Sequence, residues 1–110
     1  LKYPWLAAHE IMKTLRVGGH VFIGTHFVWH EHGYPYDYFR YTRDGLAALF
    51  PRAMGVEVRW TEYQFPCVVQ SETVQWNPAY QAFHNVHLWA TKREPTPDVM
   101  AYDLDDLLPA

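Results

Sequence analysis

Leu15-Arg16-Val17-Gly18-Gly19-His20-Val21-Phe22-Ile23 is the stretch whose reading decides the fold. The two glycines close whatever precedes them, because glycine reaches the left-handed conformation cheaply and helices commonly end there. Upstream, Pro4 suits a first helical turn, where its missing N–H is not needed. Leu6, Ile11, Met12 and Leu15 then recur at helical spacing and predict one apolar face. Downstream, Val21-Phe22-Ile23 is a short run of β-branched and aromatic residues bounded by glycines. It predicts a buried strand covered on both faces. Helix, Gly-Gly, buried strand is half of an α/β crossover.

Working outward, Thr25 to Tyr41 holds no period and is dominated by His, Trp, Tyr, Gly and Pro, so it reads as a long loop. Long loops inside compact domains are usually functional. Thr42 predicts an N-cap, Asp44 sits in the first turn where negative charge suits the helix dipole, and Leu46, Leu49 and Phe50 form a packing face that Pro51 ends. Val56, Val58 and Trp60 alternate with Glu57, Arg59 and Thr61, a strand with one wet face. Gln64 to Tyr80 is poorly periodic and holds Pro66 and Pro78. Phe83 to Thr91 predicts a last strand with Val86, Leu88 and Ala90 on one side. After Arg93 the chain carries only acidic charge (Glu94, Asp98, Asp103, Asp105, Asp106). The division is therefore a folded portion, 1–93, and an acidic tail, 94–110, expected to be a solvated appendage. Leu1-Lys2-Tyr3-Pro4 runs straight into the helical pattern, as an excerpt or a processed product would.

The chain has 110 residues, enough for one small domain with a limited core. Nine basic and twelve acidic side chains give a formal charge of −3, with no Lys/Arg run, so no nucleic-acid footprint is expected. The single cysteine, Cys67, cannot form an internal disulfide, and a reducing, cytoplasmic setting is the simplest fit. No apolar stretch approaches the ~18 residues of a membrane span. Aromatic residues make up 17% and crowd between Phe22 and Phe39, either as a binding surface or as an aromatic-rich core.

Two stretches resemble the type 11 class of S-adenosylmethionine (SAM)-dependent methyltransferases. The first is Pro4-Trp5-Leu6, Glu10-Ile11 and Leu15-Arg16-Val17-Gly18-Gly19-His20-Val21-Phe22-Ile23, where the family has Pro-Trp, Glu-Ile and Leu-Lys-Pro-Gly-Gly before its fifth strand. The second is Trp29-His30-Glu31-His32-Gly33-Tyr34-Pro35-Tyr36-Asp37-Tyr38-Phe39-Arg40-Tyr41-Thr42, followed by Gly45-Leu46 and Leu49-Phe50. It is similar to the loop and helix after that strand, with its Pro-x-Asp-aromatic-aromatic-Arg-aromatic-Thr pattern. Gly55-Val56-Glu57-Val58 fits the lead into a sixth strand. The resemblance implies a partial Rossmann-like α/β fold, the second half of a methyltransferase: helix, strand, helix, then two strands with the last antiparallel. On this reading the strand at Val21–Ile23 lies between a fourth-strand neighbour outside the chain and the last strand, leaving a free edge and a tendency to self-associate. The family's Gly-rich turn after a first strand and its acidic residue after a second are not in this sequence. No SAM-binding residue is carried over, and SAM would be held mainly by a preceding half.

Ligands in such folds sit outside the carboxyl ends of the strands, where the loop leaving Ile23 begins. His26, His30 and His32 are the candidate catalytic residues, since a histidine can take a proton from a hydroxyl, amine or carboxyl nucleophile at neutral pH. Trp29, Tyr34, Tyr36, Asp37 and Arg40 are the candidate substrate-binding residues. The aromatics would line an acceptor pocket and Arg40 would hold a polar or anionic group. Alternatively Asp37 pairs with Arg40 and fixes the loop, and the aromatics form its small core. The implied activity is methyl transfer from SAM to a small-molecule acceptor. Two other classes stand beside it. One is a non-catalytic interaction module with the same half-fold. The other is a small metal enzyme using His26, His30, His32 and Asp37, an arrangement with a faint echo of the first cupin motif. His84 and His87 read as polar positions on a half-exposed strand, His9 and His20 carry no functional expectation, and Cys67 has no basic partner nearby in sequence.

Overall fold

The computed structural model describes residues 1–33, 36–74 and 78–102. Its elements are α1 (Pro4–Thr14), β1 (His20–His26), α2 (Arg43–Ala47), a 3-10 turn (Arg52–Met54), β2 (Val56–Val69) and β3 (Tyr80–Lys92). The fold is mixed α/β: two helices and a three-stranded sheet of order β1-β3-β2, with β3 antiparallel to both neighbours. The last strand thus sits in the middle, paired His20↔Thr91 through His26↔Asn85 on one side and Val56↔Lys92 through Val69↔Tyr80 on the other. The outer edge of β1 has no strand partner among the described residues.

The alternation in β3 sets the core. Val86, Leu88 and Ala90 are fully buried and meet Met12 from α1, Leu46 and Phe50 from the α2 region, and Met54 from the 3-10 turn. Strand residues two apart share a face, so the helices cover that face only. On the opposite face Phe22 is 60% exposed and meets Trp60 edge-on at 6.0 Å; Trp60 meets Trp89 at 6.1 Å. The expectation of a strand covered on both faces is therefore corrected: Val21 is buried and Phe22 is not.

The apolar face of α1 is also rotated from expectation. Pro4, Ala8, His9 and Met12 are the buried residues, while Leu6 and Ile11 are exposed. Pro4, Ala8 and Met12 follow one i, i+4 row, and Ala8 and Met12 join the core cluster. The helix ends beside Lys92, whose buried Nζ donates to Met12 O at 2.7 Å and Leu15 O at 2.6 Å. A cation on terminal carbonyls suits the negative end of the helix dipole. At α2, Thr42 caps as expected, its Oγ1 accepting from Gly45 N at 3.0 Å.

β2 is far longer than predicted and runs through Pro66 to Val69. It is an edge strand, so the missing proline N–H can face outward without breaking the ladder. From Glu94 to Tyr102 the chain is largely exposed, yet it is anchored. Thr96 Oγ1 donates to Met54 O at 2.8 Å, His9 Nε2 donates to Pro97 O at 2.7 Å, and Met100 packs against the core. Asp103, Asp105 and Asp106 of the tail lie outside the described residues. No helix among those described is long and apolar enough to cross a membrane.

Candidate functional site

β1 delivers His26 at its carboxyl end, and the chain then leaves the sheet. Phe27 N and Val28 N still donate to His84 O and Phe83 O of β3, and Tyr41 N returns to His26 O at 3.0 Å. The loop's two ends are thus tied together, and it stands over the carboxyl end of β1 as a closed excursion. On one side Phe39 meets Trp5 of α1 at 6.4 Å; on the other Phe27 stacks on Tyr63 of β2 at 5.2 Å. Tyr63 Oη also accepts from Arg43 N at 3.0 Å.

Inside the loop, Asp37 and Arg40 form the clip that the spacing allowed. Arg40 Nη1 and Nη2 donate to the two Asp37 oxygens at 2.7 and 2.6 Å, a bidentate pair. Asp37 Oδ2 also accepts from His32 N at 3.0 Å. Arg40 holds its carboxyl well below the usual carboxylate range, and the His32 amide adds to the effect. Arg40 is raised in turn, chiefly by its bond to Asp37. Its other N–H groups donate to His30 O at 2.8 Å, Phe39 O at 3.0 Å and, weakly, Trp29 O at 3.4 Å. A guanidinium has five N–H donors. With the carboxylate and three carbonyls served, Arg40 has no donor left for a substrate anion.

The histidines cluster as the sequence placed them. His26 lies flat against Trp29, with ring centroids 5.3 Å apart and planes 14° apart. His32 meets His26 at 5.1 Å and His30 at 5.5 Å. Two residues that sequence reasoning left aside join them from β3. His84 packs edge-on to Trp29 at 5.1 Å, and Asn85 Oδ1 stands 3.1 Å from His26 Nδ1. The pairing His26↔Asn85 across the ladder is what brings them in. It becomes visible only once the register is known.

His26, His32, Tyr36, Tyr38, Phe39 and Tyr41 line a cleft of about 250 Å³, floored by the Asp37–Arg40 pair. Trp29 flanks an adjoining cleft of about 230 Å³ with Glu31 and the same Asp–Arg pair. His30 is exposed and contributes its carbonyl more than its ring. Tyr34 lies outside the described residues. No three His, Cys, Asp or Glu side chains converge as a metal site would require, among the described residues. Elsewhere, His87 Nδ1 is buried without a hydrogen-bond partner, 3.7 Å from Glu62 Oε1, and Cys67 is half-buried and free.

Neither a protein-family model, nor a curated protein, nor a solved structure matches this chain.

Proposed function

We propose that this chain supplies the acceptor side of a SAM-dependent methyltransferase, acting on a small molecule bound under the Thr25–Tyr41 loop. The observation that carries the reading is the cleft at the carboxyl end of β1, where two histidines and four aromatic side chains face one small volume. Two further features support it. The sheet order, with the last strand antiparallel and adjacent to β1, agrees with the half-fold that the resemblance implies. An apolar groove of about 200 Å³, lined by Ile11, Ile23, Tyr41, Leu49 and Phe50 among others, leaves room for more chain near β1.

In methyl transfer the protein mainly holds the nucleophile in line and removes its proton where needed. This chain's residues can do both: the aromatics hold a flat acceptor and a histidine takes the proton. On the family resemblance, SAM itself would be held mainly by a preceding half of the enzyme. The test is transfer of labelled methyl from SAM to a panel of small hydroxylated and aminated molecules, using a form that carries additional upstream sequence. Incorporation that falls when the loop histidines are replaced supports the reading. Incorporation unaffected by those replacements leaves the loop without its role.

A further inference from the structure

The three histidines are not equivalent, and their hydrogen bonds tell them apart. His32 Nδ1 stands 3.0 Å from the carbonyl oxygen of His30, with Asp37 Oδ2 at 3.5 Å on the same nitrogen. Both oxygens can only accept, so Nδ1 carries the proton and the lone pair is on Nε2. Arg40 Nη2 comes within 3.4 Å of that nitrogen, but a protonated nitrogen offers it no lone pair. The two donors instead converge on the same oxygens, His30 O and Asp37 Oδ2. Nε2 has no partner among the described residues. A fixed acceptor behind one imidazole nitrogen, here the His30 carbonyl, and a free lone pair on the other is an arrangement that orients a general base.

His26 has its Nδ1 turned to Asn85 Oδ1, but its ring is stacked on Trp29, meets His32 edge-on and is half-buried. His32 has 42% of its side chain exposed, so a proton taken there can pass on to water. His30 presents no such polarisation. The groups facing His32 are His26 and His30 from β1 and the loop, and the mutually saturated pair Asp37 and Arg40.

Resting on the acceptor-side reading above, we infer that His32 is the proton acceptor of the site and that its substrate is a small, flat, electrically neutral molecule bearing a hydroxyl or N–H. Asp37 and Arg40 are positioning residues. The substrate's O–H (or N–H) bond breaks with its electron pair left on the heteroatom, and the proton joins the Nε2 lone pair, giving an imidazolium that later loses the proton to water. A carboxylate substrate fits poorly. It has no proton to give, it would face the Nε2 lone pair, and Arg40, the cation lining the cleft, has its donors taken. Tyr36, Tyr38, Phe39 and Tyr41 offer stacking area suited to one or two rings in about 250 Å³.

The experiment uses the 110-residue chain itself. Long-range ¹H–¹⁵N spectra of the histidine rings near neutral pH read the tautomers, and 2-naphthol, naphthalene and 2-naphthoate serve as probes. The expected result is His32 in the Nδ1–H form, with its Nε2 resonance moved by 2-naphthol. Naphthalene should bind about two- to tenfold more weakly for want of the hydrogen bond. Naphthoate should bind at least about tenfold more weakly for want of a free cation. His32→Leu, which has no hydrogen-bond acceptor, should erase the difference between 2-naphthol and naphthalene, and His20→Gln, at the far end of β1 and outside the cleft, should keep it. An Nε2–H tautomer at His32, naphthoate binding as tightly as 2-naphthol, or no 2-naphthol binding at all would each overturn the inference. The methyltransferase reading fails separately. Tautomer and probe selectivity as expected, with no methyl transfer by the extended form, sinks that reading alone. Full methyl transfer by His32→Gln, or transfer to a carboxylate, sinks this inference alone.

Discussion

Replacing Phe22 by Ala measures whether the sheet is covered on one face or two. Phe22 is 60% exposed, so only about two-fifths of a side chain worth about 1.5–3 kcal/mol is withdrawn from water, or about 0.6–1.2 kcal/mol. Its edge-on contact with Trp60 and tilted contact with the His87 ring add about 0.5–1.5 kcal/mol. The expected loss for Phe22→Ala is therefore about 1–2.5 kcal/mol, against about 3–5 for a phenylalanine covered on all sides. Leu88→Ala provides the comparison from the other face. Leu88 is fully buried in the central strand, and removing three carbons loses about 2.4 kcal/mol of transfer energy, raised to about 2.5–5 by the cavity left behind. Urea unfolding followed by far-ultraviolet circular dichroism gives both values, at several protein concentrations. A Phe22→Ala loss above about 3 kcal/mol, or equal to that of Leu88→Ala, would refute the one-sided sheet and mean that something covers Phe22, Trp60 and Trp89 in solution.

Thr42→Ala removes the acceptor for Gly45 N and should cost about 1 kcal/mol in the same assay, with Thr42→Ser close to neutral. Gly55 sits at φ 79°, and a Cβ there would run into the Glu94 carbonyl; Gly55→Ala should lose more than about 1 kcal/mol and loosen the segment that follows Lys92, read as faster amide exchange at Arg93 and Glu94, whose N–H groups donate to Gly55 O. Asp37 titrates below its unfolded value when folded, so its contribution to loop order is complete above the ordinary aspartate range and is lost as pH falls from about 4 downward. The protection factor of the His32 amide, its exchange rate relative to an unstructured amide at the same pH, should therefore fall in acid, and Asp37→Asn should remove that dependence; a flat protection profile in the unsubstituted chain would contradict the clip. Sedimentation should show self-association driven by the open edge of β1, and a stable, well-folded monomer would count against it.

The strand and cap signals of this chain were strong where local chemistry alone decides. Thr42 as N-cap follows from its side chain, and the Val86, Leu88, Ala90 alternation names the core side of β3 without any structure. Two features were hidden for physical reasons. The length of β2 is decided by pairing with β3, and Pro66 argues against a strand unless that strand is known to lie at an edge. The buried row of α1 turns on Ala8 and Pro4, which hydrophobicity ranks below the exposed Leu6 and Ile11. The site divides in the same way. The Asp37–Arg40 clip and the His26–His32 cluster are local and could be read from spacing. Asn85 and His84 reach His26 and Trp29 only through the register of the ladder. The saturation of Arg40 depends on carbonyl positions that no side-chain pattern encodes.

The most direct test of the central claim is calorimetric titration of SAM into metal-stripped protein, run on this chain and on a form carrying upstream sequence. Binding by the extended form alone is the predicted result and identifies the Thr25–Tyr41 loop with the acceptor side of a methyltransferase. Absence of binding by both forms would contradict that claim and turn attention to an interaction module built on the same half-sheet.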